Sequence, residues 1–130
     1  MKTIQQKIKF NVTAKKLFQT YIDAKKHSES INSKVTIKNR ANTKFTSWDS
    51  YISGKNLHLV PYSLIVQSWR AQDWNEHDPD SILILSFLQN AKNSTIEMTH
   101  VNVPDSKAVE LKTGWNEYYW KPWKKYFKTS

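Results

Sequence analysis

Alternating apolar and polar positions mark the start of the chain. Ile4, Ile8 and Phe10 share one parity with Val12, and mostly Lys, Thr, Gln and Asn lie between them. A period of two is typical of a strand with one side in solvent. The pattern therefore predicts a first strand over residues 2–12.

Two short helices are predicted next. Thr13 is a good N-cap, and apolar residues follow it at three- and four-residue spacing between positions 17 and 22. Asp23 precedes a second short segment of the same kind, residues 24–31. Val35 and Ile37 then indicate the start of another strand.

Residues 45–103 are predicted to form at least four antiparallel strands. Short runs of β-branched and aromatic residues alternate there with turn-forming residues such as those at 75–80 and 90–93. Residues 82–88 are apolar at both parities, which predicts a strand that is covered on both faces. Another element is therefore expected to pack over this sheet.

The last part of the chain predicts one long amphipathic helix. Apolar residues recur at helical spacing from Ala108 to Phe127, and Asp105 or Ser106 can cap the start. Pro122 cannot donate a backbone hydrogen bond, so we expect a kink near residues 116–118. The order of elements predicts a single α+β domain over residues 1–130, in which a curved antiparallel sheet grips this helix and leaves a cavity beneath it.

Composition narrows the possible functions. The 130 residues contain no cysteine, which excludes disulfides and thiolate chemistry, and neither a signal peptide nor a run of about 20 apolar residues is present. We therefore expect a cytoplasmic protein. We also expect a monomer, which these absences do not decide. The net charge is +9, but 18 of the 20 basic residues are Lys, whereas specific nucleic-acid recognition relies on Arg. No specific nucleic acid is expected as a partner.

Several segments, taken together, resemble one known family. They are residues 48–61, residues 65–70, Asp73 with Trp74, Thr99 with His100, Val103 with Pro104, and residues 114–122. In order and spacing, these segments resemble the homologues of the activator of heat-shock protein 90 ATPase, over nearly the whole chain. Asn42, Thr43 and Ser50 stand where glycines are usual in that family, so local turn geometry is expected to differ.

This resemblance implies the helix-grip fold, which is shared by START-related lipid-transfer domains and the birch-pollen-allergen family. Such folds often enclose an apolar cavity. The chain has six tryptophans, more than a core of this size needs, which indicates that several line such a pocket. The predicted ligand-binding residues are Trp48, Tyr51, Gln67, Trp69, Trp74, Met98, His100, Trp115, Tyr119 and Trp123.

The leading hypothesis is a non-catalytic binding protein for a small apolar or amphipathic molecule. Its simplest alternative is that the same aromatic residues only fill the core, in which case the interior is closed and dry. A second hypothesis, implied by the family, is a co-chaperone module that binds a chaperone. A third is a cyclase-like enzyme that uses His100 with Glu97 or Asp49.

We expect no cofactor and no metal. The acidic loop that contains Asp73, Glu76, His77, Asp78 and Asp80 lacks the glycine and terminal Glu of a calcium loop. These residues are instead typical of a hairpin turn around Pro79.

Overall fold

The computed structural model describes residues 1–129. The strands are β1 (Lys2–Phe10), β2 (Lys44–Ser47), β3 (Ile52–Val60), β4 (Leu64–Ala71), β5 (Ser81–Gln89) and β6 (Ser94–Val103). The helices are α1 (Ala14–Ile22), α2 (Ala24–Ile31), α3 (Ala108–Trp115) and α4 (Lys121–Thr129), with a 3-10 turn at Asp105–Lys107 and a π-helical turn at Asn116–Trp120.

The six strands form one antiparallel sheet in the order β1-β6-β5-β4-β3-β2. Consecutive strands are neighbours from β2 to β6, and β1 completes the sheet beside β6. The register shifts between Lys2 and Ile4 and between Asn56 and His58. Bulges of this kind increase local twist and bend, which suits a sheet that curves around a helix.

The two short helices begin where the sequence predicts. Thr13 accepts a hydrogen bond from the Lys16 N–H at 3.1 Å, and Asp23 accepts one from the Lys26 N–H at 2.9 Å. These side chains satisfy amide groups that have no partner within the helix. α1 buries its apolar side against β5 and β6, so the core lies between the sheet and the helices.

The C-terminal helix accommodates Pro122 by a change of helical type. The Lys121 N–H bonds to the Asn116 carbonyl, five residues earlier, at the π-helical turn. Pro122 has no N–H to donate to a carbonyl of the preceding turn, and the wider π-helical turn lies at this point. The expected kink near residues 116–118 is therefore replaced by a local change from α-helix to π-helix.

The strands differ from the expectations in three respects, of which the first is only the end of a strand that was predicted. β1 ends at Phe10 and not at residue 12. Val35 and Ile37 are buried but form no strand, because only Thr36 between them makes an isolated bridge, to Thr46.

The third concerns β5, which is not covered on both faces. Leu83, Leu85 and Phe87 are buried, whereas Ile82 and Ile84 are only half-buried. Cross-strand partners, Val101 opposite Ile82 among them, shield these outer residues in part.

Candidate interaction site at the rim of an aromatic interior

Eight of the ten predicted binding residues lie in the interior. Those eight are Gln67, Trp69, Trp74, Met98, His100, Trp115, Tyr119 and Trp123, and all are buried. Trp48 is half-buried, and Tyr51 is 42% exposed. The structure therefore separates the predicted site into an interior group and a second group at the surface.

The interior aromatic rings pack on one another. The Trp69 ring centroid lies 5.7 Å from that of Trp74 and 5.9 Å from that of Trp115, and Trp115 stacks on Trp120 at 5.5 Å. Two depressions of about 350 and 290 Å³ lie among the described residues, and Met98, at the second, is the one predicted residue in the lining of either. The aromatic residues thus supply much of the core packing, and the ligand pocket stays a prediction.

Trp120 is an interior residue that the sequence did not predict. It is buried, and its indole N–H donates to Gln6 Oε1 at 2.8 Å. Regular helical spacing places position 120 away from the apolar stripe. The π-helical turn adds one residue to the turn, and this brings Trp120 against Trp115. A proline two residues later is the available signal for such a shift.

His100 is held by a defined hydrogen-bond chain. The Trp115 indole N–H can only donate, and it donates to His100 Nδ1 at 3.2 Å. His100 Nε2 therefore carries the proton and donates to Ser81 Oγ at 2.8 Å, and Ser81 Oγ donates to the Trp69 carbonyl at 2.6 Å. Burial lowers the pKa of His100 to about 3, so the ring is neutral at physiological pH.

A second buried histidine, His27, lies between the helices. Its Nδ1 donates to the Tyr21 carbonyl at 2.8 Å, and its Nε2 accepts from the Tyr119 hydroxyl at 3.1 Å. Burial lowers the pKa of His27 to about 4. The sequence analysis did not single out His27, because no periodic pattern distinguishes a buried histidine on a short helix.

Gln67 belongs to a third buried chain. The Tyr21 hydroxyl donates to Gln67 Oε1 at 2.9 Å, Gln67 Nε2 donates to Asn56 Oδ1 at 2.8 Å, and Asn56 Nδ2 donates to the Lys38 carbonyl at 2.8 Å. Buried polar groups are stabilising only when they are paired, and these are paired within the protein.

Two buried indole N–H groups differ from the rest. Trp69 Nε1 and Trp123 Nε1 have no hydrogen-bond partner among the described residues. Leaving a buried donor unpaired costs about 1–3 kcal/mol. The Trp69 group lies within the predicted site, beside His100 and Trp115.

The proposed acid–base pairs are not assembled. His100 points into the core, whereas Glu97 has the opposite parity on β6 and lies 3.6 Å from Lys7 in an exposed ion pair. Asp49 is exposed on the turn that joins β2 and β3. The alternative in which His100 acts with Glu97 or Asp49 is therefore wrong in its geometry.

The surface group forms what we call the aromatic rim, namely Trp48, Tyr51 and Tyr118. The Trp48 ring centroid lies 5.6 Å from that of Tyr118, which is 60% exposed, and 6.3 Å from that of buried Tyr119. The Tyr51 hydroxyl donates to Asp73 Oδ1 at 2.7 Å. Partial burial and this hydrogen bond raise the pKa of Tyr51 to about 12.

The turn that carries Trp48 and Tyr51 has an unusual backbone. Trp48, Asp49 and Ser50 have φ angles of 53°, 53° and 72°, all in the left-handed region. This region costs a non-glycine residue roughly 1–2 kcal/mol. Ser50 and Asn42 stand where the family usually has glycine, and both have a positive φ, which is 63° at Asn42. The backbone at these positions is thus one that glycine adopts easily. Strain of this size at successive residues is common where function fixes a conformation.

The acidic loop is organised by an arginine. Arg70 Nη1 donates to the Asp78 carbonyl at 2.9 Å and to Asp80 Oδ1 at 2.8 Å, and its Nη2 donates to the Asn75 carbonyl at 2.9 Å. Over residues 1–129, no group of three or more His, Asp or Glu side chains could hold a metal ion.

The curved antiparallel sheet, the two short helices and the C-terminal helix define a helix-grip protein. The family described as "Activator of Hsp90 ATPase homolog 1-like protein" matches residues 11–128. The chain belongs to this family, as the sequence motifs indicated.

Individual relatives are distant in sequence. An activator of 90 kDa heat shock protein ATPase homolog from Dictyostelium discoideum is 24% identical over 114 residues, which are 88% of this chain and 30% of that protein. The chain thus spans less than a third of the length of that relative.

Solved structures share the fold. An HSP90 activator from Plasmodium falciparum has a TM-score of 0.85 at 21% identity, covering 92% of this chain and 91% of that one. The Aha1 dimer from Colwellia psychrerythraea has a TM-score of 0.78 at 12% identity, covering 91% and 90%. At these identities, the likeness shows the fold alone.

None of the helices within residues 1–129 combines the length and the apolar character that crossing a membrane requires.

Proposed function

We propose that this chain is a chaperone-linked interaction domain that contacts its partner through the aromatic rim. The family and the two relatives named as activators of a 90 kDa heat-shock protein ATPase support the chaperone link. The observation that carries the choice of surface is the exposure of Tyr51 and Tyr118 around the half-buried Trp48, on and beside a strained turn.

The rim has the properties of a protein-binding surface. Tyrosine and tryptophan are enriched among residues that dominate binding energy, because their rings bury large areas at a small entropic cost. Tyr118 is 60% exposed and contacts the half-buried Trp48, so the isolated domain gains little by having an aromatic residue there. The strain of the turn similarly brings no gain in stability.

Binding to a purified 90 kDa heat-shock protein tests the proposal. We expect the chain to bind and to raise ATP turnover, and we expect Tyr118→Ser to weaken binding about tenfold, the loss typical of an aromatic interface residue. Leu88→Ser is the matched control, because Leu88 is 42% exposed and lies on β5, outside the rim.

Two outcomes would contradict this proposal. No binding by the unmodified chain would remove the chaperone link. An equal loss in Tyr118→Ser and Leu88→Ser would leave the link but remove the rim as its surface.

A second candidate is the predicted site for a small apolar or amphipathic ligand. The unpartnered Trp69 N–H favours it, because a ligand oxygen that reached this group would satisfy a buried donor. Such a ligand has to displace packed aromatic rings, so binding would involve local opening.

Fluorescence titration with lauric acid and with indole-3-acetic acid tests this candidate. Saturable quenching that persists in Trp48→Phe would support an interior site, because that variant removes the rim tryptophan alone. Quenching that rises linearly with concentration would contradict it.

The proposal also takes the chain to act without catalysis, in the cytoplasm and as a monomer. A sedimentation measurement checks the last point, and a stable dimer, as in the Colwellia psychrerythraea relative, would contradict it.

A further inference from the structure

Lysines and aromatic rings alternate across one surface of the helical layer. Lys15 Nζ lies 5.2 Å from the ring centroid of Tyr62, Lys16 Nζ lies 5.9 Å from that of Phe127, and Lys124 Nζ lies 6.0 Å from that of Phe10. We call the exposed or half-buried part of this set the basic-aromatic face: Lys15, Lys16, Tyr62, Lys124 and Phe127.

The face is continuous. Lys15 and Lys16 are adjacent in α1, and the Phe127 ring of α4 lies 5.9 Å from that of Phe10, over which Lys124 is placed. Tyr62 reaches the other end of the face through its ring contact with Phe18 of α1, at 5.8 Å. Lysine side chains and aromatic rings therefore lie next to one another across this surface and do not form separate patches.

Within residues 1–129, the charges of the face have no carboxylate partner. No carboxylate among the described residues forms an ion pair with Lys15, Lys16 or Lys124. Residues 14–22 and 121–129 contain no Asp or Glu. The charged side chains of these two segments are thus all positive, while Asp23 and Glu29 act on Tyr126 of α4 beside the face.

The position of the α1 lysines in their helix is unfavourable, although each lies over an aromatic ring. Lys15 and Lys16 lie in the first turn of α1, which has no acidic residue. The helix dipole makes this end positive, so cations there are unfavourable. Because no carboxylate of the described residues pairs with these lysines, they are available to pair with a carboxylate of another molecule.

We propose that the basic-aromatic face is a docking surface for an acidic protein segment that carries an apolar side chain. Carboxylates of the segment would pair with Lys15, Lys16 and Lys124, and its apolar side chain would pack against Phe127 or Tyr62. A protein segment fits better than nucleic acid, because the face contains lysine and no arginine, and lysine lacks the planar fork that favours bidentate phosphate contacts.

This surface is separate from the aromatic rim. The turn with Trp48 precedes β3, and Tyr62 follows it. β3 has nine residues, which would span roughly 27 Å as a straight strand. Lys124 of the face is six residues beyond Tyr118 of the rim in the C-terminal helix, and no residue belongs to both surfaces. Binding at the face therefore does not rest on binding at the rim, and each can fail without the other.

Fluorescence anisotropy with a labelled synthetic peptide of glutamates around one phenylalanine tests the inference. The triple variant Lys15→Gln, Lys16→Gln and Lys124→Gln is expected to bind about tenfold more weakly, as the loss of three exposed ion pairs implies. The matched control removes the same charge from exposed lysines elsewhere, with Lys44→Gln, Lys55→Gln and Lys92→Gln, and is expected to stay within about twofold.

Two further arms make the test decisive. A peptide with serine in place of phenylalanine is expected to bind several-fold more weakly, since it lacks the apolar contact. Equal losses of peptide affinity in both triple variants would overturn the proposal. So would a duplex DNA that binds more tightly than the peptide and whose affinity falls as much in the triple variant of the face. Because all six substitutions are at exposed positions, thermal unfolding is expected to confirm folded proteins throughout.

Discussion

The interior and the rim use the same residue types in opposite ways. Trp115 is 2% exposed, stacks on Trp120 and donates its N–H to His100. Trp48 is half-buried, rests against Tyr118 and lies on a left-handed turn. In the first region packing and hydrogen bonds support each other, whereas in the second the backbone is strained and the rings remain accessible.

This difference indicates what each region contributes. Well-packed and paired groups stabilise a fold, and the stacked rings and hydrogen bonds around Trp115 are consistent with that contribution. Accessible aromatic rings on a strained turn add little to stability, which is why we assign partner binding to the rim. The comparison can be tested by substitutions matched between the two regions.

The largest contrast is expected between the two tryptophans. Trp115→Ala should lower the free energy of unfolding by about 3–5 kcal/mol, because it leaves a cavity and an unpaired His100 Nδ1. Trp48→Ala should cost about 1 kcal/mol, because its side chain is already partly in solvent. Urea unfolding at neutral pH measures both.

Equal losses in the two variants would show that the rim belongs to the core. If Trp115→Ala does not fold, Trp115→Phe and Trp48→Phe provide the same comparison with a smaller loss.

The buried histidines give the interior a pH dependence. Burial lowers the pKa of His27 to about 4 and of His100 to about 3, from 6.5. Below pH 6.5 the unfolded chain takes up protons that the folded chain does not, so stability is retained above this pH and falls as the pH drops toward 4. Each histidine contributes a slope of about 1.4 kcal/mol per pH unit.

His100→Gln should therefore reduce the slope between pH 6 and pH 5 by roughly half, the part due to one of two such groups. Urea unfolding at several pH values measures this slope. His58→Gln is the matched control, because His58 is exposed on β3. An equal change of slope in the control would contradict the assignment to the interior.

The smallest expected effect concerns the rim turn. Ser50→Gly should raise the free energy of unfolding by up to about 1 kcal/mol, because glycine adopts positive φ without the steric cost that Ser50 bears. Ser53→Gly in β3 is the control and should lower it. A loss at Ser50 equal to that at Ser53 would show that the turn is not strained.

Most of the secondary structure could be predicted because it follows local rules. Thr13 and Asp23 cap their helices as predicted, and the strands of residues 45–103 alternate as expected. The errors arose where non-local neighbours decide, as for Ile82 and Ile84, whose outer face is shielded only in part.

The candidate site was less predictable. Trp48 and Tyr51 were expected to line a pocket with Trp69, yet they lie at the surface. Tyr118 was missed, because the helical stripe passes through Tyr119 and a residue beside the stripe has no other signal. An apolar ring has the same sequence signature whether the tertiary fold buries it or leaves it accessible.

The sequence by itself determined the order of elements, because periods of two and of about 3.6 residues reflect local backbone geometry. The helix-grip class and the family followed from the resemblance of its motifs to those of known proteins, and not from periodicity. Only the tertiary structure decided which aromatic rings fill the core and which form the rim. The physical reason is that burial and hydrogen-bond pairing depend on residues far apart in the chain, such as Trp120 with Gln6 and Tyr119 with His27.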